Sequence, residues 1–440
     1  MTTTEAPPER PAPRVRGSLR NNLRRTLLRR VIRSVVVRAL LTKERLQSGV
    51  TFNPLSLQWY EDPVPLYRRL REKNPVHYSE LIRGWVFSRH EDIDAILRDH
   101  ERFSNDPTAR ISRNGGGEPV EGVASMLNLD PPDHTRMRAL VSRAFTPRAI
   151  EGWRPRIEAV IDDIFADIGD ETRFDLMDRV AVPLPIVVIA EILGIPAVDR
   201  ERFKVWSDHI ARPLEPTVTP DELAQARVSG DELTAYFEAI IEERRAQPQN
   251  DLITALVQVE ESGDTLSRDE IVATLVLLLV AGNETTTNLI GNGTLALLRH
   301  PDQLAWLRAN PDQVDVATEE MLRFDSPVQT NGRTALVDME IGGHRIRKGQ
   351  SIILLQGSAN HDPAKWHEAD ALDLARGDKD HMSFGRGIHF CLGAPLARLE
   401  AQLLFPRMLE RWPAMRLASK PRFKDHIVLR GMESMEVAVD

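Results

Sequence analysis

Apolar residues along this 440-residue chain recur mainly at helical spacing. Near its start, Leu19, Leu23, Leu27, Val31 and Val35 return every four residues, while Arg20, Arg24, Arg25, Arg29, Arg30 and Arg33 fill the other faces. That pattern predicts a basic amphipathic helix across 14–45. The segments PVHYSE (75–80) and WVFS (85–88) predict a hairpin with Gly84 helping the turn, and 90–98 reads as the helix that follows. Further helices are predicted over 151–168, 199–210, 220–245, 267–299 and 301–309, and the glycine-bearing stretch 110–122 reads as a flexible loop. The longest of these helices opens on a capping box, Ser267 to Glu270, and carries the longest apolar run, eleven residues from Ile271 to Ala281. A bilayer span needs ~20 apolar residues. The run is therefore read as a core helix, and neither a transmembrane segment nor a secretory signal is expected. The fold class that follows is mainly α, an α+β chain with small sheets.

Composition changes that picture little. Hydrophobic residues make up 42% of the chain, enough for an ordinary core. No linker rich in Pro, Gly or Ser divides the chain after residue 50, and there are no repeats. One domain is expected over 46–440, preceded by an extension over 1–45 whose first 13 residues, rich in Thr, Pro and Glu, read as disordered. Charge is uneven. The first 45 residues hold twelve Lys/Arg and three Glu, a net +9, which within the total of −8 leaves −17 for the rest. No nucleic-acid partner is expected. The extension admits three readings: a helix lying on a membrane surface, an ordinary helix packed on the body, or a basic tail. The expected state is a cytoplasmic monomer, with peripheral contact at the inner membrane surface under the first of these readings. The single cysteine fits a reducing compartment and excludes a disulfide scaffold.

That cysteine, Cys391, would by default be a small buried hydrophobe. Its setting, FGRGIHFCLG (384–393), argues for more. Gly385 and Gly387 let the backbone pass close to something flat, and Gly393 leaves the sulfur uncrowded. The segment 392–399 reads as a helix with Pro395 near its start, which places the sulfur at the positive end among free N–H groups. A thiolate in a glycine-lined loop is what an axial haem ligand requires. With Phe384, Gly385, Gly387, His389, Cys391 and Gly393 all in place, the string resembles the Phe-Gly-x-Gly-x-His-x-Cys-x-Gly signature of the cytochrome P-450 family.

The resemblance covers about 50–440 and gives meaning to patterns that are weak alone. AGNETTT (281–287) places poor helix formers inside the longest helix and predicts a local distortion beside a ligand. It is similar to the family's acid–alcohol motif. This implies that Ala281 and Gly282 lie against the haem with room for dioxygen, that Thr285 hydrogen-bonds the oxygen and that Glu284 relays protons. Glu320 and Arg323 form an i,i+3 pair worth only ~0.2–0.5 kcal/mol at a surface. They resemble the family's Glu-x-x-Arg pair, with Arg376 as the third member of a structural lock beneath the haem. His134 and Arg138 lie one helical turn apart in DPPDHTRMR. Together with Arg333 and His389 they match positions that hold the haem propionates. SANHDP (358–363) and LRGMES (429–434) also fit.

The resemblance implies a single cytochrome P-450-type fold holding haem b, iron protoporphyrin IX, with Cys391 as metal ligand and Glu284 and Thr285 as catalytic residues. Such an enzyme inserts one atom of O2 into a lipophilic small molecule, by hydroxylation or epoxidation, with electrons from a separate ferredoxin and ferredoxin reductase. Arg136, Arg143 and Arg148 read either as docking charges for that donor or as ordinary solvated arginines. Pocket walls are expected from 110–127, from helices between 200 and 245, and from 326–331, with Val328 and Met432 contributing apolar surface. Two other readings stand beside this one, a haem sensor without turnover and a peroxide-driven peroxygenase. Neither needs the proton relay that Glu284 and Thr285 imply.

Overall fold

The structure, a computed structural model, describes residues 35–440 apart from 107, 108, 110–124, 216 and 262–265. The stripe from Leu19 to Val31 and the loop expected over 110–122 lie outside the described residues. What is described of the N-terminal extension is a helix over 35–48, so position 45 falls inside a helix and not at a boundary. Glu44 on that helix is buried, and its carboxylate lies 2.5 Å from Nε2 of the equally buried His77.

The central helix, Arg268–Arg299, positions everything else. At 32 residues it is ~48 Å long. Its capping box forms as expected: the Ser267 hydroxyl accepts the Glu270 N–H at 3.2 Å, and the Glu270 carboxylate accepts the Ser267 N–H at 2.8 Å. By length and composition it could cross a bilayer, yet most of it is buried inside the fold. Helices Pro183–Leu193, Arg200–Ala211, Pro220–Ala246, Val314–Phe324 and Ala394–Arg411 pack around it. Pro183–Leu193 escaped the periodicity reading because it is apolar on nearly every face, as a fully enclosed helix must be. The helix expected from 151 starts instead at Arg154, with Pro155 in its first turn, after the short helix Pro147–Glu151.

The largest sheet has five strands. Val76–Ser79 pairs antiparallel with Gly84–Phe87, followed in order by Ser351–Leu354, Asn331–Ala335 and Phe103–Ser104. Gly84 serves packing and not the turn. It opens its strand, and a Cβ there would come within 2.8 Å of the Ser351 carbonyl oxygen on the neighbouring parallel strand. The turn residue with positive φ is Arg83, at 53°. Strand Asn331–Ala335 brings Asn331 to the wall of an internal cavity, with Arg333 bonded to it at 2.6 Å.

Candidate active site

Cys391 faces an internal cavity formed between the central helix and the loop at 384–393. Its accessible surface opens to that cavity while protein surrounds it on every other side. Helix Ala394–Arg411 starts just beyond it, with Gly393 as N-cap and Pro395 in the first turn, so the expected short helix is real and longer. Burial pushes the thiol up. The N–H of Gly393, the Arg138 and Arg398 guanidiniums and the N–H of Ala394 offset that only in part. The loop glycines differ in purpose. Gly385 and Gly387 both take positive φ, 70° and 68°. At Gly387, however, a Cβ would sit 2.4 Å from the Leu97 carbonyl oxygen, so that glycine yields to protein backbone and not to a flat ligand. Gly393 has open space where its Cβ would point.

Arg138 and His389 line the same cavity; His134 stands against His389, and Arg333 bonds to the lining residue Asn331. The rings of His134 and His389 lie 4.2 Å apart, and neither ring nitrogen of the buried His134 has a hydrogen-bond partner. Burial, then His134, Arg333 and Arg138, drives His389 down to about 3, so it is neutral at pH 7. Burial lowers Arg333 to about 10, against the pull of Asp130. Arg333 donates to neutral oxygens of Asn105, Asn331 and Gly332, and Arg138 donates to the Phe390 carbonyl at 2.5 Å. Among the described residues neither arginine forms an ion pair.

Across the cavity the central helix presents Ala281, Gly282, Thr285 and Thr286. No break in the helix appears there, contrary to the distortion expected from AGNETTT. The Thr285 hydroxyl donates to the Ala281 carbonyl at 2.8 Å, which is how a helix absorbs threonine without opening. A Cβ on Gly282 would lie 3.3 Å from the Ile189 side chain, so close packing of helix Pro183–Leu193 accounts for this glycine at least as directly as room for dioxygen does. Glu284 is buried but does not line the cavity. Its carboxylate meets Lys424 Nζ at 2.8 Å and His426 Nδ1 at 3.4 Å. Burial alone would raise it; His426 and Lys424 overcome that and bring it down to about 2.

Beneath the loop, Glu320 and Arg323 form a fully buried two-point pair at 2.7 and 2.8 Å, and Arg376 joins Glu320 at 3.0 Å. Arg323 donates further to the carbonyls of Asn360, Ala369 and Ala371.

The sequence matches the Cytochrome P-450 family model over residues 83–429. It is 39% identical over 404 residues to the polyketide biosynthesis cytochrome P-450 PksS of Bacillus subtilis (strain 168), covering 88% of this chain and 98% of that protein. The chain belongs to the cytochrome P-450 family. Solved P-450 structures share its fold. PksS superposes with a TM-score of 0.82 at 38% identity, covering 89% of this chain and 100% of that one. Ligand-free CYP164A2 of Mycobacterium smegmatis gives 0.81 at 42%, covering 88% and 98%. P-450 BioI, in complex with acyl carrier protein ligated to hexadec-9Z-enoic acid, gives 0.81 at 34%, covering 87% and 100%. As a P-450, the chain is a haem-thiolate monooxygenase that incorporates an atom of O2 into a small molecule.

The residues fit the haem this family binds. The cavity wall holds the Cys391 thiol, Arg138 and His389, with His134, both nitrogens orphaned, tilted against His389 and with Arg333 bonded to the lining residue Asn331. Such a cluster suits a flat group carrying two carboxylates. Other P-450 expectations need correcting. Among the described residues none between 200 and 245 lines the cavity; Ile189, Phe145, Leu277 and Leu278 supply that wall beside Met126, Leu127 and Val328. Met432 packs instead near Gly291 of the central helix. Arg136 is paired with Glu270, at 3.2 Å for one of its two contacts, so it is no free docking charge.

Sequence reasoning missed several members. Glu319 accepts two bonds from Arg398, at 2.6 and 2.8 Å, and lies 3.0 Å from His381 Nε2. Glu400, buried on helix Ala394–Arg411, has an oxygen with no partner, and burial raises it to about 8. Lys424 and His426 were also missed. Only a charged residue at a position too buried to be solvated would have flagged them, and burial is not readable from sequence.

Proposed function

We propose that Cys391 would ligate the iron of haem b, that His134, Arg138, Arg333 and His389 would hold its propionates, and that Phe384, Gly385 and Gly393, which line the cavity beside Cys391, would flank it. Ala281 and Gly282 face it from the central helix, Thr285 and Glu284 pass protons to the reaction, and Glu320, Arg323 and Arg376 lock the fold below. When bound, the haem would supply the oxygen-activating chemistry, and the charge of its iron would favour the Cys391 thiolate against the burial that favours the thiol. The balance is RH + O2 + 2e− + 2H+ giving ROH + H2O. Electrons come from a separate ferredoxin and its reductase, and Arg143 and Arg148, both exposed, remain as docking charges. The observation that carries the reading is the pair of arginines without carboxylate partners, and the orphaned His134, gathered beside the cavity that the only cysteine in the sequence lines.

The substrate is a lipophilic small molecule, free or carrier-bound. The support is the apolar wall from Phe145, Ile189, Leu277 and Val328, together with PksS of polyketide biosynthesis and the acyl-carrier complex of BioI among similar proteins. The protein works as a cytoplasmic monomer, residues 46–440 forming the catalytic unit with the helix over 35–48 laid against it, and the basic stripe before it touches anionic lipid. The deciding experiment is the reduced carbon monoxide spectrum. A band near ~450 nm is expected from thiolate ligation, and Cys391→Ser should abolish it. A Cys391→Ser protein retaining that band and its activity would end the reading.

A further inference from the structure

Glu284 belongs to the proton path, yet as built it is a poor carrier. A carboxylate held near 2 binds almost no protons in neutral solution. Glu284 can therefore carry a proton only in passing, and a donor beside it must supply each one; histidine is a side chain suited to that. One histidine faces the Glu284 carboxylate: His426, with Nδ1 at 3.4 Å, buried and without a hydrogen bond. Its side chain remains 12% exposed, so one end of the ring meets solvent while the other meets Glu284.

This placement is built. His426 lies on the segment between strands Arg422–Phe423 and Met432–Ser434. Buried Glu215 clamps that segment by accepting the N–H groups of Ile427, Val428 and Leu429 at 2.5, 3.1 and 2.9 Å. On its other side Val428 accepts the Gln329 N–H at 2.8 Å. Glu215 is thereby occupied by backbone and lies farther from His426, at 4.0 Å. The other charged groups nearby are Lys424 and Asp425 on the same segment, Arg212 at 4.0 Å from Asp425, Asp208, which burial raises, and Tyr60, which senses Asp425 and Glu215. Lys424, permanently cationic, grips the Glu284 carboxylate.

We propose that His426 is the proton-loading residue of this enzyme, taking protons from solvent and passing them to Glu284, while Lys424 holds Glu284 in place. Each turnover needs two protons, matched by two electrons from the donor. The imidazolium gives one N–H proton to the Glu284 carboxylate, directly or through one water; the carboxyl, with little affinity for it, hands it on towards Thr285 and the imidazole regains one from solvent, so neither residue is consumed. His426 acts through Glu284 and is a positioning residue for the proton. The inference rests on the monooxygenase reading above.

The test uses the holoprotein as its ferrous carbon monoxide complex. NMR follows the His426 imidazole through its titration, with the signal assigned by His426→Gln. Removing the facing charge in Glu284→Gln should lower the His426 midpoint by about one pH unit, a tenfold loss of proton affinity. In turnover, His426→Gln should lose the neutral-range limb of the pH–rate profile and lower product formed per NADH about tenfold or more, with the ~450 nm band intact. Lys424→Met should keep that limb. An unmoved His426 midpoint in Glu284→Gln, or an unchanged pH profile and coupling in His426→Gln, would overturn the proposal. The titration needs no turnover, so its failure is separable from failure of the cysteine assignment, which shows in the Cys391→Ser spectrum.

Discussion

Two buried glutamates, one on each side of the cavity, are wired in opposite ways. Glu320, below the cysteine loop, uses both oxygens. One takes Arg323 and Arg376, the other takes Arg323 and the Asp373 N–H at 2.9 Å. Its partners are themselves saturated by backbone carbonyls. Glu284, on the central helix, uses one oxygen for both Lys424 and His426, and those partners keep side-chain exposures of 23% and 12%. A closed network fixes geometry, since every lone pair and proton is spoken for. An open one leaves a charge that can exchange with water. Residue type is the same and both are buried; connectivity separates the two.

The comparison is broken most severely at Arg323. Arg323→Ala strands the Glu320 charge and several carbonyls in the interior, a loss of about 3–5 kcal/mol. The expected outcome is insoluble protein or protein without haem. A folded variant with an unshifted denaturant midpoint would show the lock to be dispensable.

A pH series sharpens the contrast with two further carboxylates. Glu319 is held at about 2: burial opposes this, while the N–H of a His381 kept neutral by its own burial and the charge of Arg398 achieve it. Its folded value lies below the unfolded one, so its contribution, up to about 3 kcal/mol, is present above pH ~4.5 and lost as pH falls towards 2. Glu400, raised to about 8, has the opposite sign: it is protonated in the folded state, and its burden on stability grows as pH rises from ~4.5 to 8. Urea midpoints measured from pH 3 to 8 should show Glu319→Gln flattening the acid limb. Glu400→Gln should stabilise increasingly towards pH 8, and parallel curves for both variants would refute these assignments.

Thr285→Ala touches the open side. Its hydroxyl bonds only to the Ala281 carbonyl, so the fold should tolerate the change, with an altered melting temperature as the sign of error. Product per NADH should fall, by up to ~10²-fold if water does not substitute, with hydrogen peroxide released in its place. The smallest expected effect on the fold comes from removing residues 1–34. A chain starting at Val35 keeps Glu44 against His77 and should melt like the full protein. Flotation with anionic vesicles at low salt should then distinguish the two chains; equal behaviour would leave the basic stripe without a membrane role.

Much of the site was legible because its chemistry is written in short strings. Cys391 with its glycines, the Glu320–Arg323 spacing and the Ser267–Glu270 cap are all local; the pair and the cap reappear with the expected partners, and Cys391 reappears on a cavity wall at the start of a helix. The illegible parts are contacts between distant segments. Lys424 lies 140 positions from Glu284, and Arg398 lies 79 from Glu319. Neither spacing carries a signal, because tertiary packing alone chooses such partners. The AGNETTT distortion failed for a different reason: propensity penalises threonine and glycine, but a hydroxyl bonded back to Ala281 and a glycine packed on Ile189 repay the helix locally.

The helix over 35–48 has a mechanical consequence. Its 14 residues make an arm of ~21 Å, pinned near its far end where Glu44 meets His77 on the hairpin. A flexible linker of that many residues would have nearly the same average reach, ~20 Å, so the arm gains no distance. It gains bearing. A pull on Val35 is delivered along one direction to the hairpin at residues 76–87 before slack chain can absorb it.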